Sequence, residues 1–362
     1  MPILIDCRLM FYRKAGTSNY TRRLVQALAL QPAAVENLVV LMDRRDHDTQ
    51  WVPPSVQIRR ALTPAHHRYE SVLLPLELKL WSTVYRLPSS IVHFPDFIAC
   101  RGTFKKVITI HDLYFMEHSE VMSAEGAQYY GRIRESVQQA DAIIAVSAFT
   151  RDDILRLLPE VPASKITVVH EAGDIRQDAA HLPQPHHFEP YALFVGTFEP
   201  RKNLTTLLHV LRHTPHNLRL VIVGEAGWEN GGEPAQLARE LGVMDRVQLA
   251  GRVSDAELDQ LYREARMLVF PSLSEGFGLP VLEAMSRGTP VICSRTGSLP
   301  EIAGDAAVLV DPLDRPQLAQ HMSHMWTDNE LHADYRARGL QRAAQFSWER
   351  AARETMAVYQ SA

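Results

Sequence analysis

Short apolar runs alternate with helical patterns along almost the whole chain, and this alternation restricts the possible folds more than any other feature. Such a series is typical of strands that helices join into a parallel sheet. In the first part of the chain it predicts helices at 17–29, 123–138 and 147–158. The strands predicted there are 3–9, 38–43, 56–62, 91–94, 106–111, 142–147 and 166–170.

A second α/β series begins at Tyr191, after a stretch from 171 to 190 that loses its periodicity and gathers Pro, His, Gln and Asp. Its predicted strands are 192–197, 218–223, 246–251, 267–271, 290–294 and 306–310. The sequence therefore predicts two doubly wound, Rossmann-like domains facing each other across a cleft, at 1–180 and 190–346. Ligands of open parallel sheets bind beyond the carboxyl ends of the strands, so the cleft is the predicted site.

The composition excludes several classes of protein. Cys7, Cys100 and Cys293 are far apart and lack ligand-like spacing, which argues against a disulfide framework or a zinc site and suits a reducing compartment. The first residues become charged too early for a secretory signal, and no run approaches the roughly 18 apolar residues of a membrane span. We therefore expect a cytoplasmic protein.

Charge is divided unevenly along the chain. Residues 1–106 hold 15 Lys and Arg against 8 Asp and Glu (net +7), and the remainder holds 23 against 34 (net −11), which together give −4. A basic first part suggests an anionic partner surface, and chance asymmetry of a solvated surface explains it equally well. Residues 66–86 mix leucines with Arg and Lys, and they fit either a membrane-surface segment or a core helix interrupted by Pro75.

Residues 271–285, Pro-Ser-Leu-Ser-Glu-Gly-Phe-Gly-Leu-Pro-Val-Leu-Glu-Ala-Met, are the most informative stretch. A strand ends, a glycine-containing loop follows, and a helix begins near Pro280. A helix N-terminus suits a diphosphate, and glycines allow a ligand to approach the backbone. Glu275 in the loop and Glu283 in the helix could hold the two ends of a sugar nucleotide. The alternative is that Glu275 caps the helix and Glu283 pairs with a basic neighbour.

This stretch resembles the E-x7-E signature of the retaining glycosyltransferases of family 4, with Glu275 and Glu283 as its two acids. The resemblance is specific over 191–362 and looser over the first domain. It implies the GT-B fold, in which the helix 347–362 completes the first domain. Further matching stretches are Val-Gly-Thr-Phe-Glu-Pro-Arg-Lys-Asn at 195–203, Gly-Arg-Val-Ser-Asp at 251–255, Gly-Ser-Leu-Pro-Glu at 297–301 and Phe-Ser-Trp at 346–348.

By this resemblance, Glu275 would hold the hydroxyls of the donor sugar and Glu283 would bind the ribose. Arg201 and Lys202 would face the diphosphate, where cations stabilise the negative charge that builds on a departing phosphate. Many family members have Arg where this chain has Thr197, and Arg201 would take the place of that missing arginine. The remaining residues implied in donor binding are Thr197, Arg252, Val253, Gly276, Phe277, Gly278 and Leu279.

Two segments of the first domain also contribute residues to the predicted active site. A buried strand ends in His111-Asp112, and the resemblance places His111 beside the donor sugar, with Asp112 orienting it. Gly16 opens a helix after the first strand, where it either approaches the donor phosphate or acceptor or forms a plain turn.

The implied reaction is transfer of a hexose from a nucleoside diphosphate with retention of configuration, without metal or other cofactor. Within the family, the chain resembles bacterial mannosyltransferases of surface-polysaccharide assembly, which implies GDP-mannose as donor and a saccharide or polyprenyl-diphosphate-linked saccharide as acceptor. The enzyme would then lie in the cytoplasm or peripherally on the inner face of the plasma membrane, with no nucleic-acid partner.

The sequence leaves three alternative functions open: a UDP-hexose-dependent transferase of the same fold, a UDP-sugar epimerase, and a non-catalytic sugar-nucleotide sensor. A dinucleotide oxidoreductase is excluded because no Gly-x-Gly-x-x-Gly follows the first strand of either domain.

Overall fold

The computed structural model describes residues 2–12, 16–32, 37–65, 67, 69–84, 91–118, 130–173, 190–225 and 234–362. They form two compact units, one of Met1–Glu171 with Ser347–Ala362 and the other of Ala172–Phe346. Each unit is built on one all-parallel sheet with helices, as the sequence predicts for an α/β fold. The stretch 171–190, which the sequence predicts as a linker between the domains, lies outside the described residues except for 171–173 and 190.

The first unit has a seven-stranded sheet in the order β3-β2-β1-β4-β5-β6-β7. Its strands are β1 Ile3–Asp6, β2 Leu38–Asp43, β3 Gln57–Ala61, β4 Ile91–Phe94, β5 Lys105–Ile110, β6 Ala142–Ala145 and β7 Ile166–Val168. Its described α-helices are Gly16–Leu28, Glu70–Val84, Tyr114–Glu117, Ile133–Gln139, Ala148–Leu157 and Trp348–Ser361, and its 3-10 turns are Arg8–Phe11 and Ala163–Lys165.

The second unit has a six-stranded sheet in the order β10-β9-β8-β11-β12-β13. Its strands are β8 Ala192–Val195, β9 Leu220–Val223, β10 Val247–Gly251, β11 Met267–Phe270, β12 Val291–Ser294 and β13 Val308–Val310. Its described α-helices are Leu204–Leu211, Pro234–Glu240, Asp255–Glu264, Leu279–Ser286, Leu299–Ala303, Arg315–Thr327 and Asn329–Ala343, and its 3-10 turns are Pro200–Lys202, Met244–Arg246 and Gly304–Ala306.

Central strands are apolar at successive positions because helices cover both faces of each sheet. β4, β6, β9, β11 and β12 are buried throughout, with one hydrophobic cluster on each side of each sheet. In both sheets the chain runs outward from the first strand and then returns beside it, at β1/β4 and at β8/β11. These are the switch points, where loops diverge and ligands bind.

The structure differs from the predicted elements in three places. The predicted strand 3–9 ends at Asp6, because Arg8 enters a 3-10 turn. The predicted helix 123–138 falls partly on residues outside the described part, and its described portion is Ile133–Gln139. The helix Glu70–Val84 continues through Pro75 rather than being interrupted there.

Candidate active site

The switch point of the second unit brings together two charged residues that are 73 positions apart in the chain. Lys202 ends the 3-10 turn Pro200–Lys202 after β8, and Glu275 lies in the loop after β11. The Lys202 ammonium donates hydrogen bonds to both carboxylate oxygens of Glu275, at 2.7 and 2.9 Å. Both residues are buried, at 9% and 6% exposure, so water screens this ion pair weakly.

Arg201 and Glu199 extend the pair into a cluster of two cations and two carboxylates. The Arg201 guanidinium donates from Nη1 to Glu275 Oε2 at 3.1 Å and from Nε to Glu199 Oε2 at 2.9 Å. Thr197, which is exposed, donates its hydroxyl to Glu199 Oε1 at 2.6 Å. The four formal charges cancel within the cluster, which is why it is tolerated in a largely buried position.

Burial and neighbouring charges shift the pKa values of Glu275 and Lys202 in opposite directions. Burial acts to raise the pKa of Glu275, but the charges of Lys202 and Arg201 outweigh it and the pKa lies below its ordinary value. Burial lowers the pKa of Lys202, and the carboxylate of Glu275 opposes that shift. We describe the pair as ionised, since each charge is stabilised by the other.

The loop that carries Glu275 is held by neighbouring loops. Asn203, the only non-glycine with positive φ among the described residues, donates its side-chain amide to the carbonyls of Pro271 at 3.0 Å and Pro312 at 2.9 Å. Ser298 Oγ donates to the carbonyls of Glu275 at 3.0 Å and Phe277 at 2.7 Å. The fold therefore fixes the position of the Glu275 backbone before any ligand arrives.

Gly278 is the N-cap of the helix Leu279–Ser286, in the left-handed region at φ 103°. This conformation favours glycine, and a Cβ here would also lie 2.6 Å from Leu299 Cδ2 and require that side chain to shift. A glycine offers no capping side chain, which leaves the helix N-terminus open to an anionic group. The predicted neighbours Gly276 and Phe277 are buried in the same loop, and Leu279 is half-buried at the helix start.

Glu283 lies on the same helix, half-buried, and its Oε2 accepts a hydrogen bond of 2.8 Å from the hydroxyl of Tyr262. This bond orients its carboxylate. Arg252 and Val253 follow β10, which is separated from β8 by β9, and Arg252 is exposed. A capping box between Ser254 and Glu257 fixes the end of their loop.

In the first unit, His111 follows β5 and is held on both ring nitrogens. Nε2 lies 2.9 Å from the Pro95 carbonyl, and Nδ1 lies 2.9 Å from Glu171 Oε1. A carbonyl only accepts, so Nε2 carries a proton. Burial acts to lower the pKa of His111, but Glu171 outweighs it and raises the pKa to about 9, which makes His111 a cation at neutral pH.

The prediction that Asp112 orients His111 is wrong. Asp112 accepts a backbone hydrogen bond from Tyr114 at 3.2 Å, whereas Glu171, buried at 3% exposure, is the carboxylate on the histidine. Glu171 is 60 residues away in sequence and follows β7. The sequence did contain a signal for Glu171, which directly follows the predicted strand 166–170. The carboxyl ends of parallel strands meet at one edge of the sheet, so this acid could be expected near His111.

Gly16 begins the helix Gly16–Leu28 and is exposed, with open space where a Cβ would stand. The first turn of this helix borders a small cavity at the switch point of the first unit. The cavity is lined by Asp6, Cys7, Leu9, Met10, Thr17, Ser18, Thr21, Pro95 and Asp96. The cavity has room for about one water molecule.

Within the ranges given above, no group of three or more His, Cys, Asp or Glu side chains is arranged to hold a metal ion. No helix in the described part of the chain has the length and apolar character needed to cross a membrane.

Comparison with known proteins places both units in glycosyltransferase families. The family described as glycosyltransferase family 4 matches residues 15–177, and the family described as glycosyl transferases group 1 matches residues 181–342. The O-antigen chain mannosyltransferase B of Escherichia coli is 36% identical over 283 residues, which covers 74% of each chain.

Solved structures of low identity share the whole fold. The sucrose-phosphate synthase of Thermosynechococcus elongatus superposes with a TM-score of 0.76 at 23% identity, covering 99% of this chain and 98% of the other. The Anabaena protein HepE, solved in complex with UDP and glucose, superposes with a TM-score of 0.73 at 18% identity, covering both chains completely. The fold is therefore GT-B.

Proposed function

Because this chain belongs to the glycosyltransferases of group 1 and family 4, we propose that it transfers mannose from GDP-mannose, with retention, to a saccharide of a bacterial surface polysaccharide. The observation that carries the proposal is the Lys202–Glu275 pair beside the helix N-terminus at Gly278. A sugar nucleotide needs hydrogen-bond acceptors for its hydroxyls and positive groups for its diphosphate, and this loop offers both.

The roles follow from the chemistry of the groups. Glu275 accepts hydrogen bonds from the sugar hydroxyls, and the helix N-terminus with Lys202 and Arg201 binds the diphosphate. Glu283, already oriented by Tyr262, accepts from the ribose hydroxyls. Gly276, Phe277 and Leu279 line the sugar and diphosphate, and Thr197, Arg252 and Val253 border the nucleotide.

In the transfer step, the bond between the sugar C1 and the diphosphate oxygen breaks as the acceptor oxygen bonds to C1 on the same face. The acceptor proton passes to the departing phosphate oxygen, so that the products are the new glycoside and a nucleoside diphosphate. Negative charge grows on the leaving group, where Lys202 and Arg201 stabilise it. A fixed cation in place of a metal accounts for the proposed metal independence.

His111 serves in this proposal as a fixed positive charge rather than as a proton carrier. Both of its ring nitrogens have partners, and its pKa is raised to about 9 by Glu171. A group that stays protonated at neutral pH is a poor general base. Gly16 is assigned to the acceptor or to the donor phosphate.

The acceptor is proposed to be carried on a polyprenyl diphosphate, which places the enzyme on the cytoplasmic face of the membrane. The net charge of +7 over residues 1–106 supports attraction to anionic lipid. A second candidate, a UDP-hexose donor, is favoured by the likeness to the HepE structure that contains UDP and glucose.

The test is incubation with GDP-mannose and a panel of UDP-hexoses, with mannoside acceptors, scored for glycoside and nucleoside diphosphate together. We expect GDP-mannose to give both products in equal amounts, with the same anomeric configuration as the donor. Release of diphosphate without glycoside would support an epimerase or a hydrolase. Binding without turnover of any donor would support a sensor, and either result would contradict the proposal.

A further inference from the structure

The helix Glu70–Val84 presents apolar side chains on two opposite sides. Leu74 and Leu78 are buried at 1% and 6% exposure in the core of the first unit. Val72, Leu76 and Leu80, in contrast, are 59%, 60% and 61% exposed. An ordinary surface helix carries polar residues on the side that faces water, so this outer side is anomalous.

The exposed residues form one face because their spacing matches the helical repeat. Leu73 and Leu80 lie near Leu76 on the helix surface, at separations of three and four residues. Tyr69 precedes the helix and is 52% exposed. Leu62, 67% exposed, is held beside the helix because the Glu77 carboxylate accepts the backbone N–H groups of Leu62 at 2.7 Å and Thr63 at 3.1 Å.

This concentration of apolar surface is unusual for the molecule. Among the described residues, six of the eleven exposed large apolar side chains fall between positions 62 and 80. Single exposed leucines need no explanation, whereas a contiguous set indicates an interaction surface. We call these six residues the apolar face: Leu62, Tyr69, Val72, Leu73, Leu76 and Leu80.

The apolar face is rigid, because the other side of its helix is fixed by buried ion pairs. Glu70, at the start of the helix, pairs with Arg8 at 2.7 Å and with Arg132 at 3.1 Å. The helix therefore presents its leucines in one orientation, and their exposure is a property of the folded unit. A preformed surface loses little conformational entropy when it binds.

The exposed cations near the apolar face indicate which kind of partner binds it. Lys79 is exposed on the same helix, and Arg44 and Arg60 are exposed on the segments after β2 and within β3. Of the acidic side chains of the helix, Glu70 is buried in ion pairs, and Glu77 is half-buried with its carboxylate bound to the backbone N–H groups of Leu62 and Thr63. Leucines flanked by exposed cations match a membrane interface with anionic head groups.

We propose that the apolar face inserts into the interface of an anionic lipid bilayer and holds the first unit on the membrane. The leucine side chains enter the boundary of head groups and acyl chains, while Lys79, Arg44 and Arg60 contact lipid phosphates. This inference deepens the membrane association of the proposed function and rests on it, but it does not depend on the identity of the donor.

The test compares two double variants for their binding to vesicles of phosphatidylcholine, with and without about 30% phosphatidylglycerol. Leu76→Gln/Leu80→Gln removes the centre of the apolar face. Leu313→Gln/Leu340→Gln makes the same change at exposed leucines of the second unit, 72% and 42% exposed, and is the matched control. Thermal unfolding shows that each variant is folded.

We expect wild type and the control variant to bind the anionic vesicles equally, and the Leu76→Gln/Leu80→Gln variant to bind at least about tenfold more weakly. Transfer to a short, lipid-free acceptor should be the same in all three proteins, and its loss in all three would count against the proposed function alone. Equal vesicle binding by both variants would overturn the inference. So would a concentration-dependent dimer of wild type that is lost only in Leu76→Gln/Leu80→Gln, since the apolar face would then join two copies.

Discussion

The two units have the same kind of switch point but fill it with different chemistry. At β1/β4, Arg8 is 2% exposed and its guanidinium is bonded to Asp6 at 2.7 Å, Glu70 at 2.7 Å and the Thr63 carbonyl at 2.9 Å. At β8/β11, Lys202 is bonded to Glu275 beside a glycine loop and a helix N-terminus. Both are buried ion clusters at the carboxyl edge of a parallel sheet.

A buried ion cluster at a switch point is therefore not sufficient evidence of a binding site. The partners of Arg8 come from three separate segments of the first unit, so the cluster joins these segments together. The Lys202 cluster lies instead against a loop whose glycines permit a close approach by a ligand. We therefore expect Arg8 to contribute mainly to stability and Lys202 mainly to function.

The largest expected effect is on transfer by variants of the second cluster. Lys202→Met should lower the transfer rate by about 10²- to 10³-fold, because a cation is lost where negative charge develops. Lys202→Met and Glu275→Gln should each also reduce the free energy of unfolding, because the largely buried cluster is left with one charge that is not compensated. The double variant should regain much of that stability and none of the activity.

Rates and denaturant unfolding of these three variants are the measurement. Transfer by the double variant at about the wild-type rate would show that the pair is structural, and the contrast between the units would be lost.

The second effect is on the stability of the first unit. Arg8→Met should lower the free energy of unfolding by about 3–5 kcal/mol, since Asp6 would stay buried without its cation and Glu70 would keep only Arg132. The folded variant should retain its transfer rate. Arg101→Met is the control, because Arg101 and its partner Glu135 in the same unit are both exposed, at 74% and 49%, and it should change stability far less. Loss of transfer by folded Arg8→Met would place Arg8 in the active site.

A smaller effect is expected from pH. The pKa of His111 is raised from 6.5 to about 9, so its ion pair with Glu171 stabilises the fold fully below pH 6.5 and loses this contribution as pH rises through 9. The shift corresponds to a decline of up to about 3 kcal/mol in the free energy of unfolding. Denaturant unfolding across this range should show the decline in wild type and a flatter profile in Glu171→Gln. Identical profiles would refute the pairing.

The smallest expected effect is on nucleotide binding by variants at Glu283 and at Tyr262, which bonds to it. Glu283→Ala should weaken nucleotide binding by about tenfold or more, since a charged acceptor of ribose hydroxyls is removed. Tyr262→Phe removes only the group that orients Glu283 and should weaken binding less. Titration with the nucleoside diphosphate measures both affinities. A larger loss in Tyr262→Phe than in Glu283→Ala would contradict this assignment.

The sequence predicted all thirteen described strands because strands buried on both faces have continuous apolar runs. It placed the end of β1 too late because the turn at Arg8 depends on Glu70, 62 residues away. It missed Glu171 as the partner of His111 for the same reason. The segment 66–86 was ambiguous because its helix is apolar on both sides, and only the fold shows which leucines are exposed.

We propose that fixed cations of the second unit, without a metal, bind the nucleoside diphosphate. The most direct test is calorimetric titration of GDP and UDP into wild type, Lys202→Met and Arg8→Met, in excess chelator. We predict that wild type and Arg8→Met bind equally well and that Lys202→Met binds about 100-fold more weakly. Wild type that binds only after Mg²⁺ is restored, or Lys202→Met that binds as tightly as wild type, would contradict the claim.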